Sequence, residues 1–272
     1  MQRSFLFVPA TDERRLVRAH ERGADAIILD LEDAVAPDAK QQARASMEAS
    51  VQRLAGAIVW VRINSLDSGG AQDITAIAHA GIAGVVAPKI ATAAQARDVG
   101  EKLRAAGINR FMALIESAQG VLNAPSIAAE PTVSALALGS EDFAAELGAA
   151  PDEESLDLPV RSLVLAGAAA GKPAFAAAIS IGEFRDLGRY RAALAKARRI
   201  GAAGVLCIHP DQVRVANEVF APTAAELEQA RAIVAAWDEA QRRGEAVASH
   251  GGRMIDLPVV MRARRLIAAV PG

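Results

Sequence analysis

Cysteine is almost missing from this sequence. Cys207 stands alone among 272 residues, so no intrachain disulfide can form, and the composition points to a reducing compartment. It lies inside the apolar run VLCIHP with no cationic residue before it. That context predicts an inert core residue rather than a catalytic thiolate. An excess of positive charge is missing too. The net charge of −2 gives no electrostatic basis for binding nucleic acid or an anionic membrane. Basic residues such as Arg14, Arg15 and Arg18 read as a solvated helix face. The apolar stretch in MQRSFLFVPATDER is too short for a signal-peptide core or a membrane span, so the expected location is the cytoplasm. No low-complexity tract or linker divides the chain. No strand-like run is followed by G-x-G-x-x-G, the mark of a dinucleotide-binding sheet.

What the sequence does have is a repeated pattern. Six short apolar runs each end in polar or charged residues: AIILDLED (Asp30, Glu32, Asp33), VWVRIN (Arg62, Asn64), VVAPK (Lys89), ALIES (Glu116), LALGSED (Glu141, Asp142) and VLCIHP (His209). Strands are expected at 5–8, 26–30, 58–63, 85–87, 111–115, 133–138, weakly within 173–179, and at 205–208. Helix-like segments alternate with them at 12–22, 38–54, 73–80, 93–106, 120–129, 160–170, 185–200 and 211–219. Eight such units predict a (β/α)8 TIM barrel over residues 1–221, with the charged strand ends gathered at one rim. Residues 222–272 read as a C-terminal helical extension, 224–243 and a second helix beyond a Gly pair, packing on the barrel or on a neighbouring subunit. The segment 143–158 (containing PDEESLD) is longer and more acidic, with the helix at 160–170 behind it.

The chemistry follows from which ends adjoin. Glu116 and Asp142 follow neighbouring strands, so their carboxylates are expected side by side. Two hard oxygen donors without a His or Cys cluster suit Mg²⁺, with Mn²⁺ as the alternative, and leave positions for water and a bidentate 2-oxo acid. The competing reading is that both merely cap the following helices, a task Ser117 and Ser140 would do as well. Arg62 at a barrel mouth can bind a carboxylate or stabilise an oxyanion, or form a strand-end salt bridge. Asp30, Glu32 and Asp33 need a cation nearby, and they suit a supporting role toward metal-bound water or Arg62. Lys89 reads either as a Schiff-base nucleophile, which would make a metal-free aldolase, or as a partner of the acidic cluster or of a phosphate. The second is favoured. His209 reads as a general acid/base or a hydrogen-bonding support. His20, His79 and His250 receive no role.

With those residues in view, the chain resembles the citrate lyase β-subunit-like branch of the HpcH/HpaI aldolase family. The stretches that carry the resemblance are RSFLFVPA, GADAIILDLEDAVAPDAK, VRIN, VAPK, ALIESAQG, LALGSEDFAAELG, LCIHPDQV and GGRMIDLP, spread over residues 3–258. The resemblance implies a Mg²⁺-dependent carbon–carbon lyase. Glu116 and Asp142 would hold the metal, Arg62 would contact substrate and stabilise an enolate, and Glu32 and Asp33 would lie near the metal water. Lys89 and His209 at the same rim are candidate substrate-binding residues. It implies a 3-hydroxyacyl-CoA substrate such as citryl-, citramalyl- or malyl-CoA, and a homotrimer or hexamer. Three alternatives stay open: a CoA-independent 2-oxo acid aldolase, a malyl-CoA-type thioesterase, and a citrate lyase subunit inactive without its partners. Family members often carry an acid at the seventh strand, where this chain has Ala176. The Gly-rich loop LDSGGAQD after VRIN has no assigned purpose.

Overall fold

The computed structural model describes residues 2–269. They divide into two compact units, Gln2–Phe220 and the residues from Ala221 onward. In the first unit the strands are β1 (Ser4–Pro9), β2 (Ala26–Asp30), β3 (Val59–Arg62), β4 (Gly84–Ala87), β5 (Phe111–Ile115), β6 (Val133–Leu138), β7 (Ala174–Phe175) and β8 (Val205–Cys207). Each pairs in parallel with its sequence neighbours from β1 to β7, and β1 also pairs with β8. The ring closes through one parallel bridge, Phe175 to Gly204, where the Ala203 N–H donates to the Ala174 carbonyl at 2.8 Å. The helices between and after them are α1 (Glu13–Arg18), α2 (Lys40–Arg53), α3 (Gly70–Ile77), α4 (Ala93–Ala105), α5 (Ala118–Leu122), α6 (Ala124–Ala129), α7 (Ser140–Leu147), α8 (Glu153–Ala169), α9 (Leu187–Ile200) and α10 (Pro210–Phe220). This is the (β/α)8 barrel that the alternation predicts.

Strand parity builds two apolar shells. One set of alternate residues, among them Leu6, Ile27, Leu29, Val61, Val85 and Ala113, packs outward against the helices. The other set, including Phe5, Ala26, Ile28, Trp60, Val86, Met112, Leu114, Phe175 and Leu206, fills the barrel interior. The lower interior is an aromatic plug. The Phe5 ring meets Trp60 edge-on at 5.8 Å and Phe175 at 4.8 Å. Gly84 makes room for it, since a Cβ there would lie 2.6 Å from the Trp60 ring.

The second unit holds α11 (Ala224–Arg242), a hairpin of β9 (Ala248–His250) and β10 (Arg253–Ile255), and α12 (Leu257–Ala268). Ala240, Ala248, Ile255 and Val260 form its small core. The sequence reading expected only a Gly pair where the hairpin lies. Of the expected extension, residues 270–272 lie outside the described residues.

Element boundaries depart from expectation where local chemistry intervenes. Ser140 to Leu147 is helical, and α8 begins at Glu153, ahead of the expected start at 160. Asp152 starts α8 with a capping box, accepting from the Ser155 N–H while the Ser155 hydroxyl faces the Asp152 N–H. Pro159 is carried inside the helix as a buried residue. Helix 12–22 continues beyond Arg18 only as a 3₁₀ turn, and helix 120–129 is broken at Asn123.

Barrel closure depends on one glycine. A Cβ on Gly204 would sit 2.1 Å from the Arg3 carbonyl oxygen, which also accepts the Val205 N–H at 2.9 Å. Gly204→Ala forces β8 away from β1, an overpacking cost of about 1–3 kcal/mol. At this size that lowers Tm by roughly 2–12 °C. Thermal unfolding with an unchanged Tm would refute the closure argument.

Candidate active site at the C-terminal rim of the barrel

The same parity that fills the interior aims the site residues. Asp30 is in phase with inward-facing Ala26 and Ile28, Arg62 with Trp60, and Glu116 with Met112 and Leu114. The apolar layers end where these three side chains begin. Above them lies a cavity of about 340 Å³ lined by Asp30, Asp33, Arg62, Glu116, Glu141 and Asp142, with Phe7, Leu114, Leu138, Ile181, Leu206 and Ile208 as its apolar wall and Arg15 at one side.

Arg62 is the hub. Its Nε donates to Asp30 Oδ1 at 2.8 Å and its Nη2 to Asp30 Oδ2 at 2.6 Å, a bidentate pair. Its Nη1 reaches Asp33 Oδ2 at 3.1 Å and Glu32 Oε2 at 2.9 Å. The guanidinium lies over the Phe7 ring, 4.8 Å from its centroid. Burial weakens its charge, but the three carboxylates outweigh burial and hold its pKa above the usual arginine range. Asp30 also folds its own loop, accepting the N–H groups of Glu32 at 2.9 Å and Ala34 at 3.2 Å.

Glu32 is buried, and its Oε2 lacks an aligned hydrogen-bond donor despite the nearby Arg62. Burial raises its pKa, the charges of Asp33 and Asp30 add to the rise, and Arg62 and Lys89 oppose it. Lys89 Nζ lies 3.4 Å from Glu32 Oε1. Glu32 raises the Lys89 pKa, the opposite of what a Schiff-base lysine requires, so the geometry speaks for pairing with the acidic cluster. Lys89 is the one non-glycine residue with positive φ, 57°, among the described residues. That strained turn directs its N–H at Glu116 Oε2, 2.8 Å away.

Glu116 is buried, with its pKa pushed up to about 8. Burial is the main cause, the negative charges of Glu32 and Asp142 add to it, and the Lys89 N–H and Arg62 oppose it. A Cβ on Gly139 would lie 2.5 Å from Glu116 Cγ, so that glycine is what admits the side chain. Ser117 caps α5 by accepting the Gly120 N–H at 3.1 Å, so Glu116 is not needed as a cap. Ser140 caps nothing: its oxygen accepts the Ile181 N–H at 3.1 Å, and Gly139 is the N-cap of α7. Glu141 and Asp142 stand in the first turn of α7, where the helix N-terminus favours acids.

The structure thus brings Glu32, Asp33, Arg62, Lys89, Glu116 and Asp142 together and sets His209 apart. His209 lines a neighbouring cavity of about 490 Å³ with Arg15 and Arg22, and its ring stacks on Phe184 at 4.9 Å. The two cavities share Phe7, Arg15 and Ile208. Cys207 is buried and its thiol is pushed up to about 12 by burial, as befits an inert core residue. Ala176 is buried beyond β7 and offers no acid. Asp30, expected with Glu32 and Asp33 to support metal-bound water or Arg62, is the main partner of Arg62; Phe7, two residues after inward-facing Phe5, is a lining residue that the sequence does not single out.

An oxygen-only pair, Glu116 with Asp142, suits a hard divalent cation. Among the described residues no three His, Cys, Asp or Glu side chains cluster closely enough to hold a metal unaided. No helix among them is long and apolar enough to cross a membrane.

Residues 3–210 match the HpcH/HpaI aldolase/citrate lyase family. The (3S)-malyl-CoA thioesterase of Cereibacter sphaeroides is 35% identical over 271 residues, 98% of this chain and 93% of that protein. The citrate lyase subunit beta-like protein of Deinococcus radiodurans is 33% identical over 98% of this chain and 96% of its own length. Among solved structures, CitE of Mycobacterium tuberculosis in complex with magnesium, acetoacetate and coenzyme A superposes with a TM-score of 0.78 at 28% identity, covering 98% of this chain and 97% of that one.

The Glu116 carboxyl makes the metal-free protein sensitive to pH. Folded, it keeps its proton until about pH 8, whereas an unfolded glutamate loses it near 4.5. The folded state holds the extra proton between those values, so stability falls as pH rises from about 4.5 to about 8. In EDTA, the Tm of the wild type is expected to drop across that window more steeply than that of Glu116→Gln. Equal slopes would count against the assignment.

Proposed function

The chain belongs to the HpcH/HpaI aldolase/citrate lyase family, and from that premise we propose that it is a Mg²⁺-dependent carbon–carbon lyase acting on a 3-hydroxyacyl-CoA of the malyl, citramalyl or citryl type. The observation that carries this reading is the buried Glu116 carboxyl, its pKa raised, beside Asp142 in the lining of a cavity that Arg62, paired with three carboxylates, also lines. Two carboxylates whose charges oppose each other gain from a divalent cation between them. Glu116 and Asp142 would hold the cation, with its remaining positions open to water and substrate. Bound there, it would lower the pKa of a substrate hydroxyl.

The chain's own residues do the rest. Glu32, its pKa raised and its carboxyl lying against Arg62 and Lys89 at the rim, takes the hydroxyl proton. The bond between the hydroxyl-bearing carbon and its neighbour breaks. The hydroxyl carbon becomes the ketone of a 2-oxo acid, and the electron pair passes to the thioester fragment as an enolate, protonated in turn to the acyl-CoA. Arg62 faces the enolate oxygen, while Asp30 fixes the guanidinium and Asp33 shares its Nη1. Lys89 holds Glu32 by its ammonium and Glu116 by its N–H. The second cavity, with Arg15, Arg22 and the His209–Phe184 stack, gives the thioester arm a place beside the reacting end. The CoA-bound CitE relative supports such an arm.

The 35% identity to a (3S)-malyl-CoA thioesterase favours a second reading, hydrolysis of the thioester at this same site. Product analysis separates the two. Purified protein with Mg²⁺ and a panel of 3-hydroxyacyl-CoA esters releases a 2-oxo acid if it is a lyase, and free thiol without a 2-oxo acid if it is a thioesterase. For either reaction, Glu116→Ala and Arg62→Ala are expected to lose about 10²–10³ in kcat. EDTA abolishes turnover and Mg²⁺ restores it. A Glu116→Ala enzyme at full activity after chelation sinks the metal reading.

A further inference from the structure

The Gly-rich loop LDSGGAQD plays no part in the site described above, and none of its residues lines the main cavity. Its last residue is nevertheless one of the most buried charges of the barrel: Asp73, in the first turn of α3, is 0% exposed. One of its carboxylate oxygens leads toward the site, through Asn64. Asp73 Oδ2 accepts the Asn64 N–H at 2.6 Å and the Asn64 side-chain Nδ2 at 2.7 Å. Asp73 Oδ1 accepts Arg44 Nε at 2.6 Å, which balances its charge. Asn64 Nδ2 in turn donates to the Leu31 carbonyl at 2.9 Å, and Asn64 Oδ1 accepts Lys40 Nζ. Lys40 Nζ also reaches the Glu32 carbonyl at 3.3 Å. The carbonyls on both sides of the Glu32 nitrogen and Cα are therefore gripped, one by Asn64 and one by Lys40.

The two glycines make this possible. Gly69 has φ of 104°, which only glycine adopts without strain, and a Cβ on Gly70 would lie 2.4 Å from the Asn64 carbonyl oxygen. The chain turns back on itself closely enough for α3 to bring Asp73 under Asn64. A brace is needed there because Asp30, Glu32 and Asp33 repel one another, and Arg62 offsets that repulsion only while segment 31–33 stays in place.

We propose that Asp73 is a positioning residue that acts through Asn64 and Lys40 to hold Glu32 against Arg62, and that the glycine pair exists to deliver it. The proposal rests on the function assigned to Glu32 above for its catalytic consequence, but not for its structural one. Asp73→Asn keeps the size of the side chain and removes the charge that binds Asn64. On whichever thioester the wild type turns over, kcat is expected to fall about tenfold or more with KM within about threefold, since a misplaced catalytic group costs rate rather than binding. Amide hydrogen exchange in 31–36 is expected to quicken, with that of β5 and β6 unchanged. Combined with Glu32→Gln, the two losses in kcat do not multiply, because both act through one carboxylate. Unchanged exchange in 31–36, or losses that multiply in the double variant, would overturn the proposal. If Asp73→Asn does not fold, Lys40→Met removes the outer link from a half-buried position and must quicken exchange in the same segment; no change there overturns it equally. A wild type that turns over none of the thioesters defeats the assigned function, and the exchange measurement still decides the brace.

Discussion

One guanidinium shared among three carboxylates sets the geometry of the barrel mouth. A buried ion pair repays its desolvation only with good alignment and satisfied neighbours. The bidentate contact of Arg62 with Asp30 meets that condition, and Asp30 at the same time ties down the N–H groups of Glu32 and Ala34. From that pair the arrangement spreads sideways. Arg62 from β3 meets Glu32 from the loop after β2, Glu32 meets Lys89 after β4, and the Lys89 N–H meets Glu116 after β5. Four neighbouring strands are linked at one rim by contacts that each depend on the one before. Without Arg62, Asp30 would be left as an uncompensated carboxylate, 1% exposed, and the loop carrying Glu32 would lose its anchor.

The sequence made most of this legible because strand parity is rigid. A residue two positions beyond the last inward apolar side chain continues into the cavity, and Asp30, Arg62 and Glu116 all obey that rule. The alternation of strands and helices gave the barrel, and the charged run ends gave its charged rim. His209 shows the rule from the other side. Leu206 faces the interior, so Ile208 is in phase with it and His209 is not, and Ile208 lines the cavity where His209 does not. That the histidine belongs to the neighbouring cavity could have been read from its odd spacing.

What stayed hidden is governed by contacts between residues far apart in sequence or by local caps that overrule propensity. Pro159 suggests a break, but the Asp152 capping box nucleates α8 upstream and carries the proline in as a buried residue. The purpose of Gly69 and Gly70 is invisible until Asn64 and Asp73, nine positions apart, are seen in contact. Gly139 is similar: as sequence it is only a residue before a helix, while in the fold it is the space that Glu116 occupies. The strained φ of Lys89 has no sequence signal, since it is imposed by the carboxylate its N–H serves.

The missing acid at Ala176 fits this asymmetry. Acidic side chains reach the cavity from the ends of β2, β5 and β6, while the wall formed by β8, β1 and the segment after β7 presents Leu206, Ile208, Phe7 and Ile181. The segment after β7 is held through its backbone, with the Ile181 N–H on Ser140 and the Ile181 and Glu183 carbonyls on the buried Gln212 side chain. It shapes the cavity instead of adding charge to it. On the proposed function, this division orients the substrate. The carboxylate and hydroxyl then belong to the charged half, where a cation and Arg62 can meet them, and the thioester carbon and its arm to the apolar half, which leads past Phe7 and Ile208 toward the second cavity with Arg15 and Arg22.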